Sequence, residues 1–436
     1  MRVIQHAFFP FIEYPERWTK FAFKGVKGKE KSRPIMYASR RDSCIYSHYR
    51  EILAEAYEAE IKKRGIETAV LAYRRIPRID ARGNKSNIHF AEEVFRQIRH
   101  FGDCQVYTLD ISKFFENIDH PALKRLWMKL LDFAVMPADH FHVFRGVTRY
   151  ASVNREKLYR ALGFIGTTKP AGRIGYLVKR VPLQVCTGQV FRQEVVPLIR
   201  TNDLGRGIPQ GSPISDVLAN LYMLEFDTEM VKELGKVGGS YRRYCDDILL
   251  VIPGHSSNPQ YWLDFVGSRI ASCGGHLQIQ DTKSTVHRFS RILGTNRQSC
   301  DRLLGTAGRN GLEYLGFRFD GQKIFIRDST RSRLQRKMTF AIRAAVRNLC
   351  TNNPGMGAAA LKRHFDENAV LHNFYKVRDF ETHATKPAEW TFWTYIVRAR
   401  RAFGEDGRAI ERQVRNFRRS IRRKADRLID DSTSLP

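Results

Sequence analysis

Two adjacent carboxylates, Asp246 and Asp247, stand directly before the apolar run 248–252, which is typical of a buried strand. An unpaired carboxylate is costly to bury, so two of them beside such a strand imply a turn that faces water or a bound cation. The sequence Tyr244-Cys245-Asp246-Asp247 at the tip of a hairpin satisfies both conditions. Taken alone, it fits a surface hairpin with two solvated carboxylates as well as it fits a metal site.

A further strand-end carboxylate lies earlier in the chain, because residues 106–110 form an apolar strand pattern that ends at Asp110. Between these elements lies a loop rich in Gly and Pro, residues 204–215. Glycines let a flat ligand approach the backbone closely, and prolines stiffen a loop. Three carboxylates can hold two cations, one to acidify a 3′-hydroxyl and one to hold a triphosphate. Magnesium prefers such hard oxygen ligands, so the pattern predicts phosphoryl transfer.

The composition indicates what the chain binds. It has 436 residues, of which 42% are apolar, enough for two or three domains with a real core. Its 74 Lys and Arg residues against 45 Asp and Glu residues give a formal charge of +29. Such an excess indicates a polyanionic partner, with nucleic acid as the first candidate and a membrane surface as the alternative.

The location follows from what the sequence lacks. No apolar run approaches the roughly 20 residues of a membrane-spanning helix, and the aromatic patch at 8–12 is too short for a signal peptide. The seven cysteines are scattered without a Cys-x-x-Cys pair, which indicates reduced thiols. We therefore expect a cytoplasmic protein with no membrane partner.

Hydrophobic periodicity predicts the elements that position these residues. We expect helices over 42–65 and 87–102, a short strand over 69–73 and a hairpin over 313–326. Beyond residue 326 the pattern is helical, and an excess of Arg opposite the apolar stripe favours a surface that follows phosphates. The first of these apolar stripes comprises Leu334, Met338, Ala341, Ala345 and Leu349.

Six motifs follow one another along the chain: Arg33-Pro34-Ile35, Asp110 with Phe115, the Pro-Gln-Gly loop 208–213, Tyr244-Cys245-Asp246-Asp247, Lys283, and Tyr314-Leu315-Gly316-Phe317. In this order they resemble the motifs of a reverse transcriptase over residues 20–345. The resemblance implies an α+β right-hand polymerase with an antiparallel palm sheet and a helical thumb. It assigns 1–105 to the fingers, 106–132 and 204–325 to the palm, 133–203 to an inserted subdomain, and 326–436 to a basic thumb and C-terminal extension.

The resemblance also implies a role for each site residue. The catalytic residues are Asp110, Asp246 and Asp247, and these three with Ile111 hold two Mg²⁺ ions, for which Mn²⁺ can substitute. Phe115 is an aromatic gate whose ring leaves no room for a 2′-hydroxyl, so the substrates are deoxynucleoside triphosphates. The nucleotide-binding residues are Lys27, Arg33, Phe115, Gln210, Gly211 and Lys283. The residues that grip the primer end are Tyr314, Leu315 and Gly316.

With Ala72-Tyr73-Arg74 and Lys85-Ser86-Asn87 in its expected fingers, the chain resembles the bacterial defence-associated enzymes of the formerly unassigned groups, in particular their second type, with retron enzymes next. That resemblance implies a structured noncoding RNA as template, an RNA–DNA hybrid as product and a role in resisting phage. We find no His/Asn nuclease motif and little length for a ribonuclease H domain, which argues against a retroelement polyprotein. An intron-type enzyme, an RNA-dependent RNA polymerase and a non-enzymatic RNA-binding scaffold are the alternatives.

Overall fold

The computed structural model describes residues 3–19, 30–79, 83–165, 181–254, 258–305, 309–371, 374 and 391–433. The strands of the described residues are β1 (Phe11–Thr19), β2 (Glu30–Tyr37), β3 (Cys104–Asp110), β4 (Ala151–Asn154), β5 (Arg200–Thr201), β6 (Ser240–Tyr244), β7 (Asp247–Pro253), β8 (Thr285–Arg291), β9 (Gln298–Leu304), β10 (Leu312–Tyr314), β11 (Phe317–Phe319) and β12 (Ile324–Ile326).

The α-helices of the same residues are α1 (Arg40–Lys63), α2 (Asn87–Phe101), α3 (His120–Leu130), α4 (Ala138–Thr148), α5 (Arg155–Ala161), α6 (Gly188–Val190), α7 (Ser215–Tyr222), α8 (Leu224–Lys236), α9 (Gln260–Ser272), α10 (Asp328–Asn352), α11 (Ala358–His364), α12 (Glu367–Leu371), α13 (Phe392–Ala402), α14 (Arg408–Val414) and α15 (Phe417–Thr433). Helices and mainly antiparallel strands occur together, so the predicted α+β class is confirmed. No helix of the described residues is long and apolar enough to cross a membrane.

The chain folds into two compact units. The first comprises Met1–Arg74, Leu109–Leu249 and Asn258–Lys283, and the second comprises Arg75–Thr108, Leu250–Ser257 and Ser284–Pro436. The boundary between them falls inside β3 and inside β7. The finer division into fingers, palm, insertion and thumb stays a prediction.

One sheet of the first unit has the strand order β2-β1-β4-β5. Strands β1 and β2 are antiparallel, with Glu16 opposite Arg33. Strand β4 lies parallel to β1, with Val153 opposite Ile12. Because β4 and β5 both belong to the segment 133–203, that segment completes the sheet that carries Arg33.

The central sheet has the strand order β6-β7-β3-β8-β9. Strand β3 is antiparallel to β8, with Cys104 opposite Phe289, and β8 is antiparallel to β9. Strand β3 ends at Asp110, and β7 begins at Asp247 after a two-residue turn from β6. The side chains of β7 from Ile248 to Ile252 are buried, as the apolar run predicted.

A fully buried ion pair lies beneath the β6–β7 hairpin. The Nη2 atom of Arg243 on β6 lies 2.6 Å from Oδ2 of Asp227 on α8, and neither side chain is exposed to solvent. The Arg243 Nε donates to the other carboxylate oxygen at 2.7 Å, and the Tyr241 hydroxyl donates to that same oxygen at 2.6 Å. Burial alone would lower the pKa of Arg243, but the charge and hydrogen bonds of Asp227 outweigh burial and raise it. The arginine therefore stays charged in the core.

The strand expected over 69–73 is wrong. Only Val70 makes an isolated bridge, to Arg243, and Tyr73 adopts the left-handed conformation with φ of 66°. The Leu71 amide donates to the Arg243 carbonyl at 2.9 Å, and the Arg243 amide donates to Ala69 at 2.8 Å. The side chains of residues 69–72 are buried in a turn that packs on β6, whereas Tyr73 is exposed. Periodicity alone does not distinguish such a buried turn from a strand.

The second unit contains the sheet β10-β11-β12 and the C-terminal helices. The hairpin predicted around Asp320-Gly321 is confirmed as β11 and β12. The apolar stripe predicted for α10 is right for Leu334 and Met338 and wrong beyond them. Ile342 and Val346 are buried in place of Ala341 and Ala345, because burying a larger apolar side chain is more favourable. The buried side chains of α10 are Leu334, Met338, Ile342 and Val346, and those of α15 are Phe417, Ile421, Ala425 and Ile429.

Replacing Asp227 by Asn should destabilise the fold by about 3–5 kcal/mol, because it leaves the Arg243 guanidinium buried without a counter-ion. Urea unfolding measures the effect. The matched control is Glu229→Gln, which breaks the partly exposed ion pair with Arg269 and should cost no more than about 1 kcal/mol. Equal unfolding midpoints for Asp227→Asn and the parent would show that the buried pair contributes nothing.

Candidate active site

Two of the predicted carboxylates lie side by side where β3 ends and the β6–β7 hairpin turns. The amide of Ile111 donates to the main-chain oxygen of Asp246 at 3.0 Å. On the other side, the Gln280 amide donates to the Asp110 main-chain oxygen at 2.8 Å. Main-chain hydrogen bonds thus join the end of β3 to the β6–β7 turn and to the segment at Gln280. They fix the backbone positions of Asp110 and Asp246.

The carboxylates create a local excess of negative charge. Burial and then the charge of Asp110 raise the pKa of Asp246 above its ordinary value. The Nζ of Lys283 forms an ion pair with the Asp110 carboxylate, whose side chain is only 15% exposed. A cation at this place is favourable because two close carboxylates in a partly buried site otherwise repel each other.

The third predicted carboxylate, Asp247, is exposed at the start of β7. In the part of the chain that the structure describes, no group of three or more His, Cys, Asp or Glu side chains is arranged to hold a metal ion. The structure therefore brings Asp110 and Asp246 together and leaves Asp247 next in the chain, at the exposed start of β7. Oxygens of Asp110, Asp246 and Ile111 are the hard ligands that suit a divalent cation.

A cavity of about 380 Å³ opens next to these carboxylates. Its volume falls in the range typical of small-molecule sites, roughly 300–1,000 Å³. Basic, aromatic and amide side chains line it together with two carboxylates, Glu116 and Asp246, an arrangement suited to a charged ligand with a flat apolar part. Six predicted site residues line it, namely Arg33, Ile111, Phe115, Gln210, Asp246 and Lys283.

The Pro-Gln-Gly loop is tied to its surroundings through the main chain. The Met36 amide on β2 donates to the Gln210 carbonyl at 2.9 Å, and the Ile208 amide donates to the Phe115 carbonyl at 2.9 Å. Gly211 has φ of 111°, and a Cβ there would lie 2.5 Å from the Met36 carbonyl oxygen. Glycine is required here because the loop passes directly against β2.

The turn of the hairpin has a support that the sequence analysis missed. Cys245 adopts the left-handed conformation with φ of 61°, which is strained for a residue with a Cβ. Its main-chain oxygen accepts a bond from Arg243 Nη1 at 3.0 Å, and its sulfur accepts one from the Tyr73 hydroxyl at 3.1 Å. The sequence signal for this support was the alternation along β6, which places Tyr241 and Arg243 on the same buried face.

The predicted primer-grip residues lie in the second unit, at the turn between β10 and β11. Leu315 there has φ of 44°, and its carbonyl accepts a bond from Asn87 Nδ2 at 3.0 Å. Asn87 also donates to the Tyr395 hydroxyl at 3.1 Å. The turn formed by Leu315 and Gly316 after Tyr314 is therefore held by the start of α2 and by α13. Lys27, the remaining predicted residue, lies outside the described residues.

The α+β fold thus brings a hairpin that carries Asp246 and Asp247 to a cavity lined by Arg33 and Lys283. The sequence model of the family described as reverse transcriptase (RNA-dependent DNA polymerase) matches residues 61–319. The chain belongs to the reverse transcriptase family. Members of this family generally use divalent metal ions. No curated protein matches the chain.

Solved structures similar to this chain include two telomerases. The apo telomerase of Candida tropicalis, truncated from its C-terminal domain, is 11% identical with a TM-score of 0.38, covering 69% of this chain and 53% of that one. The telomerase of Candida albicans, in complex with a TWJ fragment of telomeric RNA, is 12% identical with a TM-score of 0.40, covering 99% of this chain and 65% of that one. This chain thus spans between half and two thirds of their lengths.

Replacing Gly211 by Ala should destabilise the protein by about 1–3 kcal/mol, since the new Cβ clashes with the Met36 carbonyl and the backbone conformation is strained. Thermal unfolding measures this. Gly235→Ala is the control, because Gly235 lies inside α8 with open space around it and should gain about 0.5–1 kcal/mol. An unchanged melting temperature for Gly211→Ala would contradict the close approach of the loop to β2.

Proposed function

We propose that the chain is an RNA-directed DNA polymerase that extends a primer 3′ end with deoxynucleoside triphosphates. The observation that supports this most is the cavity in which Asp246, Lys283, Arg33, Gln210 and Phe115 meet. It combines what a nucleotide needs: positive charge for phosphates, an aromatic surface for the sugar, and an amide for the base.

The reaction joins the primer 3′-oxygen to the α-phosphorus of the incoming nucleotide, and the bond from that phosphorus to the pyrophosphate oxygen breaks. Asp110, Asp246 and Asp247, with the main-chain oxygen of Ile111, would hold two Mg²⁺ ions, for which Mn²⁺ can substitute. Such ions, when bound, acidify the 3′-hydroxyl and offset the charge of the triphosphate. The buried main-chain contacts of the hairpin keep the carboxylates in position throughout.

The basic side chains act on the phosphates. Arg33 lies on β2 at the cavity wall and would hold the triphosphate, together with Lys27. The Lys283 ammonium, which pairs with Asp110, can move to the pyrophosphate as the charge there develops. The amide of Gln210 and the backbone of Gly211 would lie against the base pair.

The template that we propose is a dedicated structured noncoding RNA, copied into cDNA held as an RNA–DNA hybrid, in a bacterial defence against phage. The one-signed excess of +29 and the Arg-rich helices α10 and α15 support a long nucleic-acid partner. All seven cysteines are free thiols, which supports a cytoplasmic location. Sequencing the RNA that copurifies with the protein tests the template: a random sample of cellular RNA would contradict it.

Replacing Asp246 by Asn should reduce dNTP incorporation at least about 100-fold, because the amide keeps the shape but, being neutral, holds a divalent cation far more weakly than the carboxylate does. Primer extension on an RNA template with Mg²⁺ measures this. Asp264→Asn, an exposed carboxylate on α9, is the control and should keep parental activity. Activity of Asp246→Asn equal to that of the control would overturn the proposed function. RNA binding with no incorporation by the parent would favour the scaffold alternative.

Replacing Phe115 by Val should raise the use of ribonucleotides relative to deoxynucleotides by about 10- to 100-fold, because the smaller side chain admits a 2′-hydroxyl. Competition between dNTP and rNTP, read by alkaline cleavage of the product, measures this. The control is Phe141→Val, since Phe141 is exposed. The neighbouring Phe114 is unsuitable as a control because it is buried in the core. A parent enzyme that prefers rNTPs would favour the RNA polymerase alternative.

A further inference from the structure

One side chain of the nucleotide cavity belongs to none of the recognised motifs. Tyr150 lies between α4 and β4 and lines the same cavity as Phe115, Gln210 and Asp246. It comes from the segment 133–203, to which the sequence analysis gave no role in the site. That segment therefore contributes directly to the space where the nucleotide binds.

The position of Tyr150 is fixed by its neighbours on two sides. Its ring meets the ring of Phe11 edge-on, with centroids 5.9 Å apart, and Phe11 is itself buried. Its main-chain oxygen accepts a hydrogen bond from the main-chain amide of Asn202 at 2.9 Å. Such an edge-on pair is a favoured geometry for aromatic rings, so the ring is held and not free to swing into solvent.

Asn202 connects Tyr150 to the Pro-Gln-Gly loop. Its side-chain Nδ2 donates to the Thr148 carbonyl at 2.9 Å and to the Arg206 carbonyl at 2.9 Å. The same nitrogen lies 3.3 Å from the Gly207 carbonyl, which also bonds to His120 Nε2 at 2.7 Å. Asn202 is only 9% exposed, so these bonds are sheltered from water. The side-chain amide of Asn202 thus links the segment just before Tyr150 to the loop that carries Gln210.

The Tyr150 phenol is suited to a site for an anionic ligand. Burial, with smaller contributions from the charges of Glu13 and Glu116, raises the pKa of Tyr150 to about 12. The hydroxyl therefore stays neutral at physiological pH and does not repel phosphates. Tyr150 and Phe115 are two aromatic side chains that face one cavity from different segments.

Resting on the proposed function, we propose that Tyr150 is a specificity-determining residue whose ring, with that of Phe115, confines the sugar of the incoming deoxynucleotide. Asn202 is the positioning residue that links Tyr150 to the Pro-Gln-Gly loop. Discrimination against a 2′-hydroxyl is then shared between a motif residue and the inserted segment. The active part of Tyr150 is its ring, not its hydroxyl.

The experiment is single-nucleotide primer extension on RNA, measuring kcat and KM for a dNTP and the matching rNTP. Tyr150→Ala should raise the rNTP-to-dNTP ratio of kcat/KM about tenfold and raise the dNTP KM several-fold, with kcat little changed. Tyr150→Phe, which keeps the ring, should match the parent. Asn202→Ala should shift KM and the ratio in the same direction as Tyr150→Ala, which mere loss of stability would not do.

Melting temperatures show which variants are folded. If Tyr150→Ala is unfolded, Tyr150→Leu keeps apolar contact with Phe11 and should show the same shift in a smaller degree. A folded Tyr150→Ala or Tyr150→Leu with parental KM and ratio overturns the proposal. So does a Tyr150→Phe variant that loses as much discrimination as Tyr150→Ala. Absence of dNTP incorporation by the parent is a different result, since it removes the proposed function and this proposal with it.

Discussion

The buried ion pair between Arg243 and Asp227 is the constraint on which the β6–β7 hairpin depends. Two charged groups buried away from solvent must pair with each other, and every remaining N–H of the guanidinium must find an acceptor. An unpaired buried charge costs far more free energy than a lost surface contact. The guanidinium donates to the Asp227 carboxylate, to the Asn220 side chain and to the Cys245 carbonyl. Since Cys245 is the turn residue, satisfying the charge also sets the strained turn that presents Asp246.

Backbone hydrogen bonds extend this order from the hairpin to the rest of the cavity. Ile111 bonds to Asp246, and Met36 bonds to Gln210. Main-chain hydrogen bonds between segments fix the Cα positions from which the site side chains extend. A site preorganised in this way needs little rearrangement when a ligand binds. The inserted segment joins the same framework through Asn202. The cavity is therefore a product of contacts between segments distant in sequence.

The charge of the molecule is distributed in two opposing ways. The chain as a whole carries +29, which favours contact with polyanions. At the site itself, the close carboxylates Asp110 and Asp246 produce the opposite sign, partly offset by Lys283. The net charge of the chain thus favours polyanions, whereas the pair Asp110 and Asp246 favours a cation. The two signs are compatible because solvent and salt screen charges more than about 10 Å apart.

The sequence by itself determined the family resemblance, the α+β class and the carboxylates, because a strand that ends in Asp110 and a turn at Asp246 are local patterns. It did not determine which of Arg242 and Arg243 is buried, that 69–73 is a turn, or that Tyr150 lines the cavity. Those outcomes depend on partners far along the chain, such as Asp227 for Arg243 and Asn202 for Tyr150. Local periodicity reports which side chains prefer burial, but only the tertiary structure decides what each buried polar group must bond to.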